Sequence, residues 1–285
     1  MSEKLGIVNE LHKAARRNFS RRYVTVKGLN DLFQADIVEM RPYSNENKGH
    51  NYLLTMIDTF SKWGWAVPLK TKEGSEVAQA LNKIFSILDK PPKFFQTDHG
   101  NKFYNKNVER VLKSYGTRHY SSFSSLKASI VERFNRTLKT WMWREFSLRG
   151  NYEWLSLLNN LLKRYNNRIH RSIGLAPSQV NRGNEKEVLG KFLNIKLPPK
   201  KKSKFKVGDP VRISKFKHVF EKGYTPNWTT EVFVVNEVAK TVPVTYKLKD
   251  LNDKPIQGGF YEEELQKTKF KNTYLVEKVL KRKGN

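Results

Sequence analysis

The 285-residue chain contains no cysteine. Disulfides, a cysteine nucleophile and any zinc site with cysteine ligands are therefore excluded. The six histidines, at 12, 50, 99, 119, 170 and 218, are scattered and form no HxxxH pair, so no zinc module can be read. No apolar run is long enough to cross a bilayer, and the opening residues MSEKLGIVNELHKAARRNF lack the apolar centre of a secretory signal. The expectation is a soluble, intracellular protein with no membrane partner. Acids are scarce too: 27 Asp and Glu stand against 54 Lys and Arg, a net charge of +27. The basic excess runs through the whole chain and is not confined to a tail, so every part is suited to phosphate contact.

What is present divides into segments. Residues 1–30 form a basic lead-in in which ELHKAARRNFSRR has a thin helical pattern. LFQADIVEM (32–40), NYLLTMIDTFSKW (51–63) and GWAVPLK (64–70) have strand character. A helix over 74–88 has its apolar face at Val77, Leu81, Ile84 and Leu88, with Ser75 as the expected N-cap. PPKFFQTD reads as a strand, NKNVERVLKSYG (105–116) as a helix stopped by Gly116, and TRHYSSF as a short strand. Two long helical patterns follow, through Ile130, Phe134, Leu138 and Trp141, and through Trp154, Leu158, Leu161, Tyr165 and Ile169. The order β-β-β-α-β-α-β-α-α predicts an α/β domain over 31–185, a mixed sheet with helices on its faces. A proline- and lysine-rich linker spans 186–204, short β runs over 205–268 predict a small antiparallel barrel, and 269–285 is a basic tail.

In so basic a chain the informative residues are the few acids at strand ends and helix starts. Asp36 lies within the first strand. Asp98 closes the fourth, in KFFQTDHGNKF, where Gly100 offers a sharp turn. Glu132 lies in the first turn of the 130–148 helix, on a stripe with Arg136, Lys139 and Trp143 that is offset from the apolar face. Converging carboxylates of this kind hold the two Mg²⁺ ions of phosphoryl transfer on nucleic acid. Each also has an ordinary role: Asp36 as an exposed strand position, Asp98 as an Asx-turn former, Glu132 as a first-turn acid favoured by the helix dipole. Asp58 rivals Asp36, and Glu39 is a weaker rival.

The ordered blocks together resemble the retroviral-type integrase core, a DDE polynucleotidyl transferase. LFQADIVEM is similar to the strand with the first Asp, LLTMIDTFSKW to the VDxFSxW hairpin, FFQTDHGNKF to the TDxGxxF block, SSLKASIVERFNRTLK to the VExxNxxLK helix, and YNNRIHRSIGLAPSQV to the YNxxxHxxxGxxP segment. The blocks cover about residues 31–182. Integrases of Maverick/Polinton-type and gypsy-like elements look closest, and FKVGDPVRI with the later β runs resembles their SH3-like or chromodomain-like barrel.

The resemblance implies an RNase H-like core, a five-stranded mixed sheet with flanking helices. It implies Asp36, Asp98 and Glu132 as catalytic residues and ligands of two Mg²⁺ or Mn²⁺ ions, with no zinc, and it demotes Asp58. It further implies 3′-end processing and strand transfer, DNA partners (element ends and target), a dimer or tetramer on DNA, and nuclear action. The expected DNA contacts are Lys127, Arg133, Asn135, Arg136, Lys139, Lys200, Lys201, Lys202 and Arg212. The alternatives are a cut-and-paste transposase and a domesticated, non-catalytic DNA- or chromatin-binding protein.

There are two departures from the family pattern. The 33 residues between Asp98 and Glu132 make a spacer slightly shorter than usual. The N-terminal His-His-Cys-Cys domain is missing, which fits either a truncated chain or a lineage that dispenses with it. In the barrel, Trp228, Phe260 and Tyr261 suggest core or DNA-stacking residues, with a methyl-lysine cage for chromatin as the alternative.

Overall fold

The computed structural model describes residues 3–16, 18–21, 26–121, 129–193, 202–217 and 224–273. The chain divides into two compact units, Val24–Lys196 and a second composed of Met1–Tyr23 with Leu197–Asn285. The segment read as a lead-in over 1–30 thus contributes to both. No described helix is long and apolar enough to cross a membrane.

Helix α1 covers Glu3–His12, which overlaps only the first three residues of the stretch whose pattern suggested a helix. It belongs to the second unit, where Ile7 and Leu11 pack with Trp228 and Phe270. The first unit is built on β1 (Leu32–Glu39), β2 (Tyr52–Asp58), β3 (Gly64–Leu69), helix α2 (Gly74–Phe85), β4 (Phe94–Thr97), α3 (Lys106–Ser114) and β5 (Arg118–Ser121). Helices α4 (Ser129–Arg149), α5 (Leu155–Asn166) and α6 (Glu185–Leu193) complete it. The sheet order is β3-β2-β1-β4-β5, with β1, β2 and β3 antiparallel and β4 and β5 parallel to β1. This is the expected mixed five-stranded sheet.

One apolar cluster fills one side of the sheet, with Phe33, Ala35, Leu54 and Phe95 against α2 and α3. A second, with Val38, Leu53 and Ile57 against α4 and α5, fills the other. β1 therefore alternates its side chains between two cores. Polar residues on such a strand are costly unless paired, which limits them to places with a partner.

Several local expectations are corrected. Ser75 is not the N-cap of α2: the helix already includes Gly74, and its cap position is Glu73, which makes no side-chain capping bond. A side chain at Gly74 would collide with Asn105, whose Oδ1 caps α3 through the amides of Asn107 and Val108. Ile169 continues the apolar spacing of α5 but is 68% exposed, because the helix has ended at Asn166. There Asn166 bonds both backbone groups of Gly64, fixing the end of α5 to the start of β3. Asp58 is buried, and its oxygens are taken up by the amides of Phe60 and Ser61 and the Ser61 hydroxyl, so it shapes the turn after β2.

The second unit contains an antiparallel sheet of β6 (Pro210–Ile213), β7 (Phe233–Ala239), β8 (Thr245–Lys249), β9 (Pro255–Tyr261) and β10 (Leu265–Lys267), ordered β10-β6-β7-β8-β9. Two aromatics suggested for a cage are committed elsewhere. Trp228 is buried under α1 with its indole N–H donating to the Lys13 carbonyl, and Tyr261 is buried against the ring of Phe19. Phe260 packs on the sheet core.

Candidate active site

The parallel pairing of β1 with β4 sets the site. Gln34 is in register with Gln96, so two residues further along each strand stand Asp36 and, just past the end of β4, Asp98. Side chains two residues apart share a face, which brings the two carboxylates to one edge of the sheet. The Gln34 amide also donates to Gln96 Oε1 at 2.9 Å, and its own oxygen accepts the Ile130 and Val131 amides at 3.1 Å each. A buried strand residue thereby caps α4 and fixes the turn that carries Glu132 relative to the strand that carries Asp36. Sequence reasoning missed Gln34. Its only signal was a polar residue at a core position of the first strand.

Asp36 is half-buried. Its Oδ1 accepts the Ile37 amide at 2.8 Å, and its Oδ2 accepts the Asn135 side-chain amide at 3.1 Å. Between Asp36 and Asp98 lies Lys102, which the sequence analysis also passed over. Its ammonium is 3.2 Å from Asp36 Oδ1 and 3.2 Å from Asp98 Oδ2. The spacing of four from Asp98 was the available clue. Gly100 does not use the left-handed backbone region here. Its carbonyl instead accepts the Phe103 and Tyr104 amides, both at 3.0 Å, and that turn returns Lys102 over Asp98.

Glu132 is exposed on α4 and lines, with Asp36, a cleft of about 980 Å³. Asn135, Arg136, Lys139, Trp143 and Arg144 line the same cleft. Lys139 lies over the Trp143 ring at 5.6 Å. The structure thus joins Asp36 to Asp98 through a shared cation and Asp36 to Glu132 through a shared wall. Among the described residues, no three acids or histidines converge closely enough to hold a metal as they stand. The donor set nevertheless suits a hard divalent cation. Asp98 Oδ1 and Asn135 Oδ1 are buried acceptors without a hydrogen-bond partner, and among the described residues the cation that reaches Asp36 and Asp98 is Lys102, a displaceable lysine.

The remaining predicted contacts fare differently. Arg133 is on α4 but does not line the cleft; its charge acts instead on Lys62, Tyr165 and His170. Arg212 is 1% exposed, held by the Thr229 and Thr230 carbonyls and by Glu10, so its guanidinium has no surface to offer a phosphate. Lys202 is exposed. Lys127, Lys200 and Lys201 lie outside the described residues.

Beneath Asp98, His119 bonds the Thr97 hydroxyl at 2.8 Å and stacks on Tyr104, which also meets His99. Burial lowers the His119 pKa to about 4, with the nearby His99 adding to the effect, so the ring is neutral at physiological pH. His99 Nδ1 is 3.2 Å from Ser121 Oγ, a local polar role that ties the Asp98 turn to β5.

Comparison with known proteins gives one family. The integrase core domain matches residues 27–123. An uncharacterised transposon-derived protein of Caenorhabditis elegans is 35% identical over 207 residues, 73% of this chain and 69% of that protein. The Pol polyprotein of feline endogenous virus ECE1 is 28% identical over 151 residues, or 52% of this chain. The Gag-Pol polyprotein of koala retrovirus is 28% identical over 159 residues, or 55% of this chain. The chain spans 14% and 9% of those two polyproteins. Among solved structures, a chain of the simian T-cell lymphotropic virus intasome bound to PP2A regulatory subunit B56 gamma superposes with a TM-score of 0.59 at 18% identity. That alignment covers 93% of this chain and 84% of the other, a likeness of fold.

Proposed function

Since the chain belongs to the integrase core domain family, we propose that it is a DNA-joining enzyme of a mobile element, a Mg²⁺- or Mn²⁺-dependent polynucleotidyl transferase. The observation that carries this reading is the edge where Asp36 and Asp98 meet across β1 and β4, with Glu132 on the wall of the adjoining cleft, opposite in charge to its neighbours Arg136, Lys139 and Arg144.

Asp36, Asp98 and Glu132 would hold the divalent ions. When bound, these supply charge neutralisation at the reacting phosphate and activation of the attacking oxygen. The protein's own groups bind and orient. Arg136, Lys139 and Arg144 receive DNA phosphates along α4, and Asn135 with the Ile37 amide keeps Asp36 aimed into the site. Water first releases a nucleotide fragment near the element's 3′ end. The freed 3′-hydroxyl then forms a P–O bond with a target phosphate while the bond from that phosphate to the target's own 3′-oxygen breaks. The phosphodiester count is conserved, so no protein nucleophile or external energy source is required.

The finer attribution to Maverick/Polinton-type or gypsy-like elements, an SH3-like or chromo-like fold for the second sheet, assembly as a dimer or tetramer on DNA, and nuclear action belong to this same proposal. A second reading, a non-catalytic DNA-binding descendant, is favoured by the ammonium of Lys102 lying between Asp36 and Asp98. A strand-transfer assay with oligonucleotide ends and Mg²⁺ or Mn²⁺ separates the two. The enzymatic reading expects joined products that vanish in Asp98→Asn. Products that persist in that variant, or none with any end sequence, defeat it.

A further inference from the structure

Asp36 and Asp98 are brought together by sheet register, and two adjacent carboxylates repel one another unless a cation neutralises them. The chain has a large excess of cations, yet among the described residues Lys102 alone forms an ion pair with either acid. It pairs with both. The other basic groups of the cleft, Arg136, Lys139 and Arg144, form no described ion pair with Asp36 or Asp98. Within the TDxGxxF block Lys102 occupies an open position, so the block itself does not assign it a role.

We propose that Lys102 is an internal counter-ion that couples divalent-cation binding to nucleic-acid binding. The inference rests on the function proposed above and deepens it. In the cation-free protein the ammonium holds the two carboxylates in place. A divalent cation taking those oxygens must displace it. A lysine is a compact charge on a flexible stem, so it can leave without unfolding the turn. A displaced ammonium needs a new anionic partner, and DNA phosphate in the cleft provides one. Metal binding without DNA therefore works against Lys102, and metal binding with DNA does not. Such coupling is reciprocal, so metal also tightens DNA binding. Two partly exposed ion pairs correspond to roughly a three- to thirtyfold effect on metal affinity.

The test is calorimetric titration of Mn²⁺ into the full chain as wild type, Lys102→Met and Asp98→Asn. Each is titrated with and without a duplex oligonucleotide, with correction for Mn²⁺ taken up by the DNA itself. Without DNA, Lys102→Met is expected to bind Mn²⁺ about three- to thirtyfold more tightly than wild type. With DNA the gap should close. Equal or weaker binding by Lys102→Met, or a gap unchanged by DNA, overturns the role of Lys102. Asp98→Asn binding as tightly as wild type is a different result and overturns the metal-site reading itself. Thermal melting of Lys102→Met, expected to remain cooperative and to fall by only a few degrees because two partly exposed ion pairs are lost, guards against a folding artefact.

Discussion

Gln34 on β1 donates its amide to Gln96 on β4 at 2.9 Å, and each glutamine stands two residues before one of the paired aspartates. This buried bond locks the register that makes Asp36 and Asp98 neighbours. The other end of the Gln34 amide holds the first amides of α4. Gln34→Leu should leave those buried donors unsatisfied, at a cost of about 1–3 kcal/mol. Hydrogen exchange should then quicken at Ile130 and Val131, and strand-transfer activity should fall further than the melting temperature alone explains.

Removing carboxylate charge should abolish chemistry while sparing the fold. Asp36→Asn and Glu132→Gln are expected to lose at least about a hundredfold in strand transfer, the scale on which positioned electrostatic groups act. Circular dichroism and melting temperature should stay near wild type, since Glu132 is exposed and Asp36 half-exposed. Activity retained within a fewfold would place the reaction elsewhere.

DNA affinity should fall steeply with salt. The double variant Arg136→Ala/Lys139→Ala removes two cations from the cleft wall. The slope of log affinity against log salt should drop by about two, at roughly 0.9 per lost phosphate contact, in fluorescence anisotropy with duplex DNA. Arg133→Ala, directed away from the cleft, should change the slope much less.

His170 carries a pH signature. Burial, aided by Lys62, Arg168 and Arg133, lowers its pKa to about 4. The unfolded histidine takes its proton near pH 6.5, before the folded one does. Its contribution to stability is therefore full above pH 6.5 and is lost as pH falls from 6.5 towards 4. Because the ring is partly exposed, screening limits the effect to about 1–2 kcal/mol. His170→Gln should flatten that part of the pH–stability curve in denaturant titrations, and an unchanged curve would refute the assignment.

The terminal segments should stand or fall together. Glu10 accepts from the buried Arg212, from the Thr268 hydroxyl at 2.6 Å and from the Lys269 amide. Glu10→Ala removes the counter-charge of the buried guanidinium, which keeps its Thr229 and Thr230 carbonyl acceptors, and should destabilise this unit by about 1–3 kcal/mol. Deleting residues 1–23 should lower its melting transition further, because Trp228 also loses its cover. An unaltered transition in either variant would mean that α1 is an ornament.

Much of this was legible in the chain. The faces on which Asp36 and the Arg136–Lys139 stripe of α4 lie were readable because alternation of two and a period near 3.6 assign each side chain to a face before any packing is known; the choice of three acids came from the family resemblance. Local pattern failed where elements end. Ile169 keeps the apolar period past the end of α5, and α1 has so thin an apolar face that only its docking partner reveals it. Arg212 looked like a DNA contact because a basic residue on a short strand has no mark of burial; Glu10, about two hundred residues upstream, supplies it.

By itself, the sequence determined the strand and helix order of the core from β1 to α5, its mixed sheet and the excess of positive charge, since these depend on residue type and short-range periodicity; Asp36, Asp98 and Glu132 it offered only as candidates, joined by the family resemblance. The tertiary structure alone decided that Gln34 joins strand register to helix cap, that Lys102 sits between the two aspartates, and that Arg212 is structural. Each of these depends on contacts between residues distant in the chain or on the path of a turn, and no local pattern encodes them. KFFQTDHGNKF offered an aspartate that by itself reads equally as a turn former, and only the folded turn showed that its last lysine returns to hold it.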